Sequence, residues 1–260
     1  MIQLTGVGAD PEFFLSNGKK IVSAIGKVGG TKKSPKPLSL PGYFIQEDNV
    51  LVEMNIPPAS SGEELGENIK TGLRLVRDVL PKNHHIVIKA SEMMDRRELL
   101  SPEACAFGCE PDTIAWTAEE HIATPPLSTL RTASGHLHIG YTNPDIQKTI
   151  AIVKIADIYL GLASVILDPD KRRRELYGQA GSFREKPYGV EYRVLSPFWC
   201  SDEVLSQWAF KQIEKVIDGV NNNHMNKLSY VDSWDIMTAI NFHDETLTNT
   251  LLKKYEIKLP

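Results

Sequence analysis

Alternating apolar and polar residues predict short β-strands at several points along the chain. Four of these strands carry two polar residues at positions i and i+2, with apolar residues beside them. The pairs are Asp10 and Glu12, Glu53 and Asn55, His136 and His138, and Glu191 and Arg193. Because successive side chains of a strand point to opposite faces of a sheet, the two members of each pair face the same way. For any single pair a solvated sheet face is the favoured interpretation, but the combination leads us to expect that the four polar faces line one cavity.

Prolines predict where two of these strands bend or end. Pro11 removes a backbone donor, so the strand within residues 1–16 is expected to be at an edge or kinked. A hairpin is predicted over residues 43–55, with Pro57 ending its second strand.

Apolar residues at helical spacing predict long helices between the strands. Ser61 followed three residues later by Glu64 is a capping-box pattern, and the helix that it begins should stop at Pro81. Asn143, followed by proline, predicts the start of a second long helix that runs to about Leu167.

Two glycine-rich segments are predicted as loops. Residues 26–41 contain lysines that could touch phosphate, but they lack the spacing of a P-loop, and a plain surface loop is favoured. Residues 171–189 are predicted to form a mobile loop, in which the basic run Arg172-Arg173-Arg174 is a solvated turn.

Composition excludes several classes of partner and site. We expect one α+β domain over residues 1–260, with no repeat, no membrane-spanning stretch and no signal peptide. The net charge of -4 gives no reason to expect nucleic-acid binding. Cys105, Cys109 and Cys200 do not suggest a disulfide framework, so we expect reduced thiols in a cytoplasmic protein.

The four polar pairs together indicate metal and phosphate chemistry. They contain four carboxylates, two imidazoles and an arginine. Converging carboxylates would be costly without cations, and their oxygen ligands suit magnesium or manganese, which retain substrate phosphates. An arginine pairs well with phosphate oxygens. Because no protein nucleophile stands out, we expect phosphoryl transfer from a nucleoside triphosphate to a bound substrate.

The ordered motifs resemble those of a known enzyme superfamily. They are Gly8-Ala9-Asp10-Pro11-Glu12-Phe13, Val52-Glu53-Met54-Asn55, Gly135-His136-Leu137-His138-Ile139-Gly140, and Arg184 with Glu191-Tyr192-Arg193, supported by the stretches 108–112 and 186–196. This set resembles the carboxylate–amine ligases of the glutamine synthetase and glutamate–cysteine ligase superfamily. It is most similar to the phage-encoded COOH–NH2 ligase branch.

The resemblance implies a fold and a metal site. The fold would be a curved antiparallel sheet forming a funnel, with helices packed on its outer face, as in the glutamine synthetase catalytic domain. Two or three magnesium or manganese ions would bind inside it. Their implied ligands are Glu12 and Glu53, with Glu47 as a candidate third, and Asp10, His136 and Glu191.

The resemblance also implies an activity. ATP would activate a carboxylate as an acyl phosphate, which an amine then attacks to give an amide. His138 would contact ATP phosphate, and Arg184 and Arg193 would bind and stabilise the transferred phosphoryl group beside Glu191. Both substrates would be small molecules or peptides, and an oligomer is compatible with the sequence. From the glycines of the loop 171–189, together with Arg184 and Lys186, we also hypothesise that this loop closes over the acyl phosphate to exclude water.

Three alternatives remain open on the sequence alone. A kinase on the same fold would transfer phosphate without ligation, and a metal-dependent hydrolase would act without ATP. A non-catalytic scaffold protein is expected to have lost its charged sheet face, whereas the polar pairs here are complete.

Overall fold

The structure is a computed structural model that describes residues 1–105, 112–121, 129–224 and 228–260. The predicted motif residues 108–111, including Cys109, therefore lie outside the described residues. Cys105 and Cys200 are both free thiols.

Strands and helices alternate irregularly along the described chain. The strands are β1 (Leu4–Ala9), β2 (Glu12–Ser16), β3 (Ile21–Val22), β4 (Lys36–Pro37), β5 (Phe44–Asp48), β6 (Leu51–Ala59), β7 (His85–Val87), β8 (Ser91–Met93), β9 (Asp112–Ile114), β10 (Glu120–His121), β11 (Leu130–Thr132), β12 (Leu137–Tyr141), β13 (Ser182–Lys186) and β14 (Gly189–Tyr192). The α-helices are α1 (Gly62–Val79), α2 (Pro102–Cys105), α3 (Ile146–Ala156), α4 (Leu162–Leu167), α5 (Glu203–Asn221), α6 (Tyr230–Asn241) and α7 (Glu245–Lys254).

A curled antiparallel sheet forms the centre of the molecule, so the predicted α+β class is confirmed. Its main path runs β10-β9-β13-β14-β12-β1-β6-β2-β3, while β5 pairs with β6. The large helices α1, α3 and α5 pack on the outer side of this sheet. Helix α1 approaches the sheet closely at Gly72, where a Cβ would lie 2.5 Å from the Met54 sulfur. Because these helices pack on the outer side, the polar inner face of the sheet is left open.

The first strand breaks at Pro11, as predicted. β1 ends at Ala9, β2 begins at Glu12, and both pair with β6. The prediction that Pro57 ends β6 is wrong, because this strand continues to Ala59. The pairing shifts register there, since two steps on β1 face three on β6, and a proline without an N–H is tolerated at such an irregularity.

The N-terminus of α1 follows the predicted capping pattern. The Ser61 hydroxyl accepts a hydrogen bond from the Glu64 amide at 3.1 Å. The Glu64 carboxylate accepts from the amide and hydroxyl of Ser60 rather than from Ser61. The helix ends at Val79, two residues before Pro81.

The second long helix begins slightly later than predicted. Asp145 caps α3 by accepting from the Lys148 amide, whereas Asn143 has a φ of 50° and cannot adopt the extended conformation of a cap. A π-helical turn, Asp157–Gly161, joins α3 to α4. Contrary to the prediction, Ile146–Leu167 is long and apolar enough to cross a membrane by length and composition. However, 67% of its most apolar window is buried inside the protein, as in a core helix.

The predicted loop 171–189 is largely ordered secondary structure. It contains β13 and a 3-10 helix, Arg172–Glu175. Arg173 is only 2% exposed and donates to the carbonyl oxygens of Ala133 at 2.9 Å and Val194 at 2.7 Å. The prediction of a solvated basic turn is therefore wrong, because these buried carbonyls need donors and the arginine supplies them.

Candidate active site

Two groups of acidic and histidine side chains lie around a cavity of about 180 Å³ on the inner face of the sheet. The first cluster is Asp10, His136 and Glu191, and the second cluster is Glu12, Asp48 and Glu53. In each cluster, one possible ligand atom per residue lies within 4.8 Å of the others. Arg184, Lys186 and Arg193 complete one wall, with Lys32 and Gln46 at the other side. Of the four predicted polar pairs, all members except Asn55 and His138 line this cavity.

Three neighbouring strands position the first cluster. Asp10 follows β1, His136 precedes β12, and Glu191 lies on β14, and these strands are adjacent in the order β14-β12-β1. The His136 Nδ1 lies 3.4 Å from the Asp10 Oδ1 and 3.4 Å from the Glu191 Oε1. The two carboxylates thus meet at one imidazole.

Two strand pairings position the second cluster. Glu12 on β2 lies directly opposite Glu53 on β6, and Gln46 on β5 lies opposite Glu53 from the other side. Asp48 is two residues beyond Gln46, so it faces the cavity as well. Glu47 faces away, which overturns its suggested place as a third ligand, and Asp48 occupies that position instead.

Burial and mutual repulsion change the ionisation of these carboxylates. Desolvation and the nearby charge of Asp48 raise the pKa of Glu12 to about 8. Desolvation and the charge of Asp10 also raise the pKa of Glu53 well above its usual value. Burial opposes ionisation of Asp10 too, but the charge of His138 and hydrogen bonds from both histidines hold its pKa well below the usual range. Glu12 and Glu53 therefore keep their protons to a higher pH than Asp10 does.

The two histidines differ in charge. Desolvation and the neighbouring charge of Arg193 lower the pKa of His136 to about 3, so this imidazole is neutral and can act as a ligand. Desolvation also opposes protonation of His138, but the charge of Asp10 at 3.1 Å raises its pKa overall. His138 Nδ1 contacts the Tyr188 hydroxyl.

Basic side chains surround the first cluster. The Arg193 guanidinium contacts Glu191 and the Tyr177 hydroxyl, and its Nε lies 2.7 Å from the Asp112 Oδ1. The Lys186 Nζ lies 2.7 Å from the Glu191 Oε2. These contacts hold Glu191 in place, although desolvation and the charge of Asp10 raise its pKa.

Arg184 lies further out than Arg193. Its guanidinium nitrogens are 3.8 Å from Glu191 and 3.8 Å from Asp112. Asp112 and Lys186 were not predicted as site residues, although both lie in motif stretches that carried the resemblance. The signal was their position in those stretches, since neither belongs to a polar pair.

The predicted surface loop 26–41 also reaches the cavity. The Lys32 Nζ lies 3.0 Å from the Asp48 Oδ2, and this residue lines the cavity. Sequence reasoning missed this role, because nothing in the local pattern distinguishes Lys32 from the exposed Lys33.

A second pocket of about 390 Å³ adjoins the cavity at His138. Apart from His138 and the Tyr188 phenol, the described residues that line it carry no ionisable side chain. They are Thr5, Gly6, Gly8, Ala9, Asn55, Ile56, Pro58 and Gly140, together with those two. Asn55 therefore lies in this pocket rather than in the cavity with its partner Glu53.

The donor sets of the two clusters fit divalent cations. Carboxylate oxygens with a neutral imidazole suit magnesium or manganese, and so do three carboxylates. A cation would also relieve the repulsion that raises the pKa values of Glu12 and Glu53. Each cluster could hold one ion on these grounds.

Comparison with known proteins identifies one family. The model of the family described as phage phiEco32-like COOH-NH2 ligase-type 2 matches residues 109–239, which is half of the 260-residue chain. The matched region contains His136, His138, Glu191 and Arg193, whereas the carboxylates Asp10 to Glu53 precede it. A search of the curated proteins finds no match.

Proposed function

The chain belongs to this COOH-NH2 ligase family, and from that premise we propose that it is an ATP-dependent carboxylate–amine ligase that forms an amide through an acyl phosphate. The observation that carries the proposal is the convergence of two carboxylate clusters and four basic side chains on one cavity. We further propose a glutamine synthetase-like fold in a single domain, residues 1–260, because both clusters draw on strands of the same sheet. The free thiols of Cys105 and Cys200 suit the reducing cytoplasm, where we expect the protein to act.

Magnesium or manganese would be held by the two clusters. Asp10, His136 and Glu191 would hold one ion, and Glu12 and Glu53 would hold another with Asp48. These ions would supply positive charge to the phosphate oxygens of the nucleotide. The protein's own part is to keep His136 neutral and to keep the carboxylates in register across the sheet.

The pocket beside His138 suits the nucleoside of ATP. Its lining is nearly free of ionisable groups, and three of the lining residues, Gly6, Gly8 and Gly140, have no side chain. His138 stands where this pocket meets the cavity, and the charge of Asp10 favours its protonated form. A cationic imidazole at this boundary would contact the first phosphates that leave the nucleoside pocket.

The basic wall would stabilise the transferred phosphoryl group. Arg193 is fixed by Asp112, Glu191 and Tyr177, so its guanidinium is already oriented before substrate binds. Arg184 lies 3.8 Å from its acidic neighbours with 28% of its side chain exposed, and would contact a phosphate from the open side of the cavity. Prepositioned cations stabilise developing charge without a cost of reorganisation at the moment of reaction.

The test is a screen of ADP release over pooled small-molecule and peptide carboxylates and amines, with magnesium and manganese in parallel. A ligase releases ADP and phosphate only when both an acid and an amine are present, and mass spectrometry then finds the amide. Glu53→Gln should abolish turnover, while Glu214→Gln, at an exposed position on α5, serves as the matched control.

Other outcomes would refute the proposal. ADP release with a single acceptor and a stable phosphorylated product would identify a kinase. Hydrolysis of a pooled substrate without nucleotide would identify a metal-dependent hydrolase.

A further inference from the structure

Lys32 is presented to the second cluster by a tight turn. Thr31 and Ser34 exchange backbone hydrogen bonds of 3.0 and 2.9 Å, so Lys32 and Lys33 are the two central residues of a two-residue turn. Both side chains are exposed, but the Lys32 ammonium group reaches the Asp48 carboxylate. Of these two neighbouring lysines, Lys32 is thus the one whose side chain points toward the second cluster.

Glu47 fixes the base of this turn. Its carboxylate accepts hydrogen bonds from four consecutive backbone amides, those of Gly26 at 2.9 Å, Lys27 at 3.1 Å, Val28 at 3.1 Å and Gly29 at 2.8 Å. The next residue, Gly30, has a φ of +80°, and a Cβ there would lie 2.4 Å from the Ile45 carbonyl oxygen. The loop is thus held closely against β5, which carries Asp48 at its end.

Positive charge is distributed unevenly around the cavity. Arg184, Lys186 and Arg193 all lie within 4 Å of Glu191, in the first cluster. Among the described residues that line the cavity, Lys32 is the basic side chain at the second cluster. An anion that reaches the second cluster would meet this ammonium group first.

The order of sites along the sheet indicates which anion reaches that point. Gly8 lines the pocket beside His138, Asp10 belongs to the first cluster, and Glu12 belongs to the second. The pocket, the first cluster and the second cluster thus follow one another over residues 8–12. A nucleotide whose nucleoside fills the pocket beside His138 would therefore direct its terminal phosphate toward the second cluster.

We infer that Lys32 binds the terminal phosphoryl group of the nucleotide, the group that is transferred to the carboxylate. This inference rests on the proposed function. Lys32 would leave Asp48 when a divalent cation occupies the second cluster, because two cations repel each other, and its ammonium would turn to the phosphate oxygens. The hydrogen bonds to Glu47 keep the base of the loop in place, while the Lys32 side chain at the tip of the turn moves from Asp48 to the phosphate.

The test compares two nucleotides that differ only at the terminal phosphate. Affinities for ADP and for the non-hydrolysable triphosphate AMP-PNP are measured by calorimetry at saturating manganese, in the wild type, Lys32→Met, Lys32→Arg and the matched control Lys33→Met. Loss of a hydrogen bond to a charged group should lower the ratio of AMP-PNP to ADP affinity by about tenfold in Lys32→Met. Lys32→Arg should retain most of the ratio, and Lys33→Met should retain all of it.

Several outcomes would overturn the inference. Lys32→Met could keep the wild-type ratio, or it could weaken ADP and AMP-PNP equally, which would place its effect on the cluster rather than on the phosphate. Equal binding of both nucleotides by the wild type would also overturn it. If the wild type bound neither nucleotide, the proposed function itself would fail, and the inference with it.

Discussion

The first and second clusters are neighbours on one sheet, yet their carboxylates are balanced by different charges. In the first cluster, Asp10 is kept ionised by His138, and Glu191 is in contact with Lys186 and Arg193. In the second cluster, Glu12 and Glu53 lie opposite each other with raised pKa values. The protein's own cations thus balance the first cluster, whereas the second depends more on protons or on bound metal.

This difference has a consequence for assembly of the site. A cluster already balanced by arginine and lysine is ordered before any ion binds. A cluster of repelling carboxylates gains most from a cation, so its metal affinity should depend strongly on pH and on each of its ligands. The predictions below test this contrast, beginning with the largest expected effect.

Neutralising one carboxylate in each cluster should affect the metal-free protein differently. Glu191→Gln leaves the buried Arg193 without one of its acidic partners, and we expect a loss of about 3 kcal/mol in the free energy of unfolding. Glu53→Gln removes a carboxylate whose pKa is already raised well above its usual value by burial and by the charge of Asp10, so the change should not exceed about 1 kcal/mol.

Urea unfolding of the two chelator-treated variants measures this difference. Equal destabilisation by the two substitutions would contradict the contrast between the clusters.

Asp48 and Glu47 are adjacent in sequence, but we expect Asp48 to bind metal and Glu47 to hold the loop 26–41 in place. Asp48→Asn should weaken manganese binding at the second cluster by at least about tenfold, since it removes one of three carboxylates. Glu47→Gln should leave manganese affinity nearly unchanged and cost about 1 kcal/mol of stability, because the amide cannot accept all four backbone N–H groups.

Calorimetric titration with manganese and urea unfolding together test this pair. A larger loss of manganese affinity from Glu47→Gln than from Asp48→Asn would reassign the ligand.

The raised pKa of Glu12 predicts a pH-dependent stability in the metal-free protein. Its pKa is about 8 when folded, against an ordinary value of 4.5. The folded protein therefore holds this proton more tightly than the unfolded chain, so the stabilisation is complete below the lower value and is lost as pH rises toward the higher one. Glu12→Gln should flatten this decline, whereas Glu214→Gln on the exposed side of α5 should not.

Metal should reverse the trend, because a bound cation displaces the proton. Apparent metal affinity should rise by about tenfold per pH unit for each displaced proton, up to about pH 8. Thermal unfolding with and without manganese across this range is the measurement. A metal-induced stabilisation that does not change with pH would contradict the prediction.

Part of the site could be read directly from residue spacing. The polar pairs predicted that Asp10, Glu12 and His136 face one cavity, and the structure confirms this. His138 instead lines the second pocket, and Asp10 and Glu12 lie on either side of the break at Pro11. Sequence reasoning could also have identified Asp48, rather than Glu47, as the residue that faces the cavity. Pairing across the hairpin sets Gln46 opposite Glu53, and alternation then turns Asp48 inward and Glu47 outward.

The chain by itself determined local features, because strand alternation, helix capping and the bend at Pro11 depend on residues close together in sequence. Only the tertiary structure decided that Arg173 is buried, that 182–186 is a strand rather than a loop, and that Lys32 rather than Lys33 meets Asp48. Each of these depends on a partner far along the chain, such as the Val194 carbonyl, β14 or the end of β5. Local spacing does not identify the distant group that a side chain will contact, because sheet pairing and the need to satisfy buried polar atoms determine that partner.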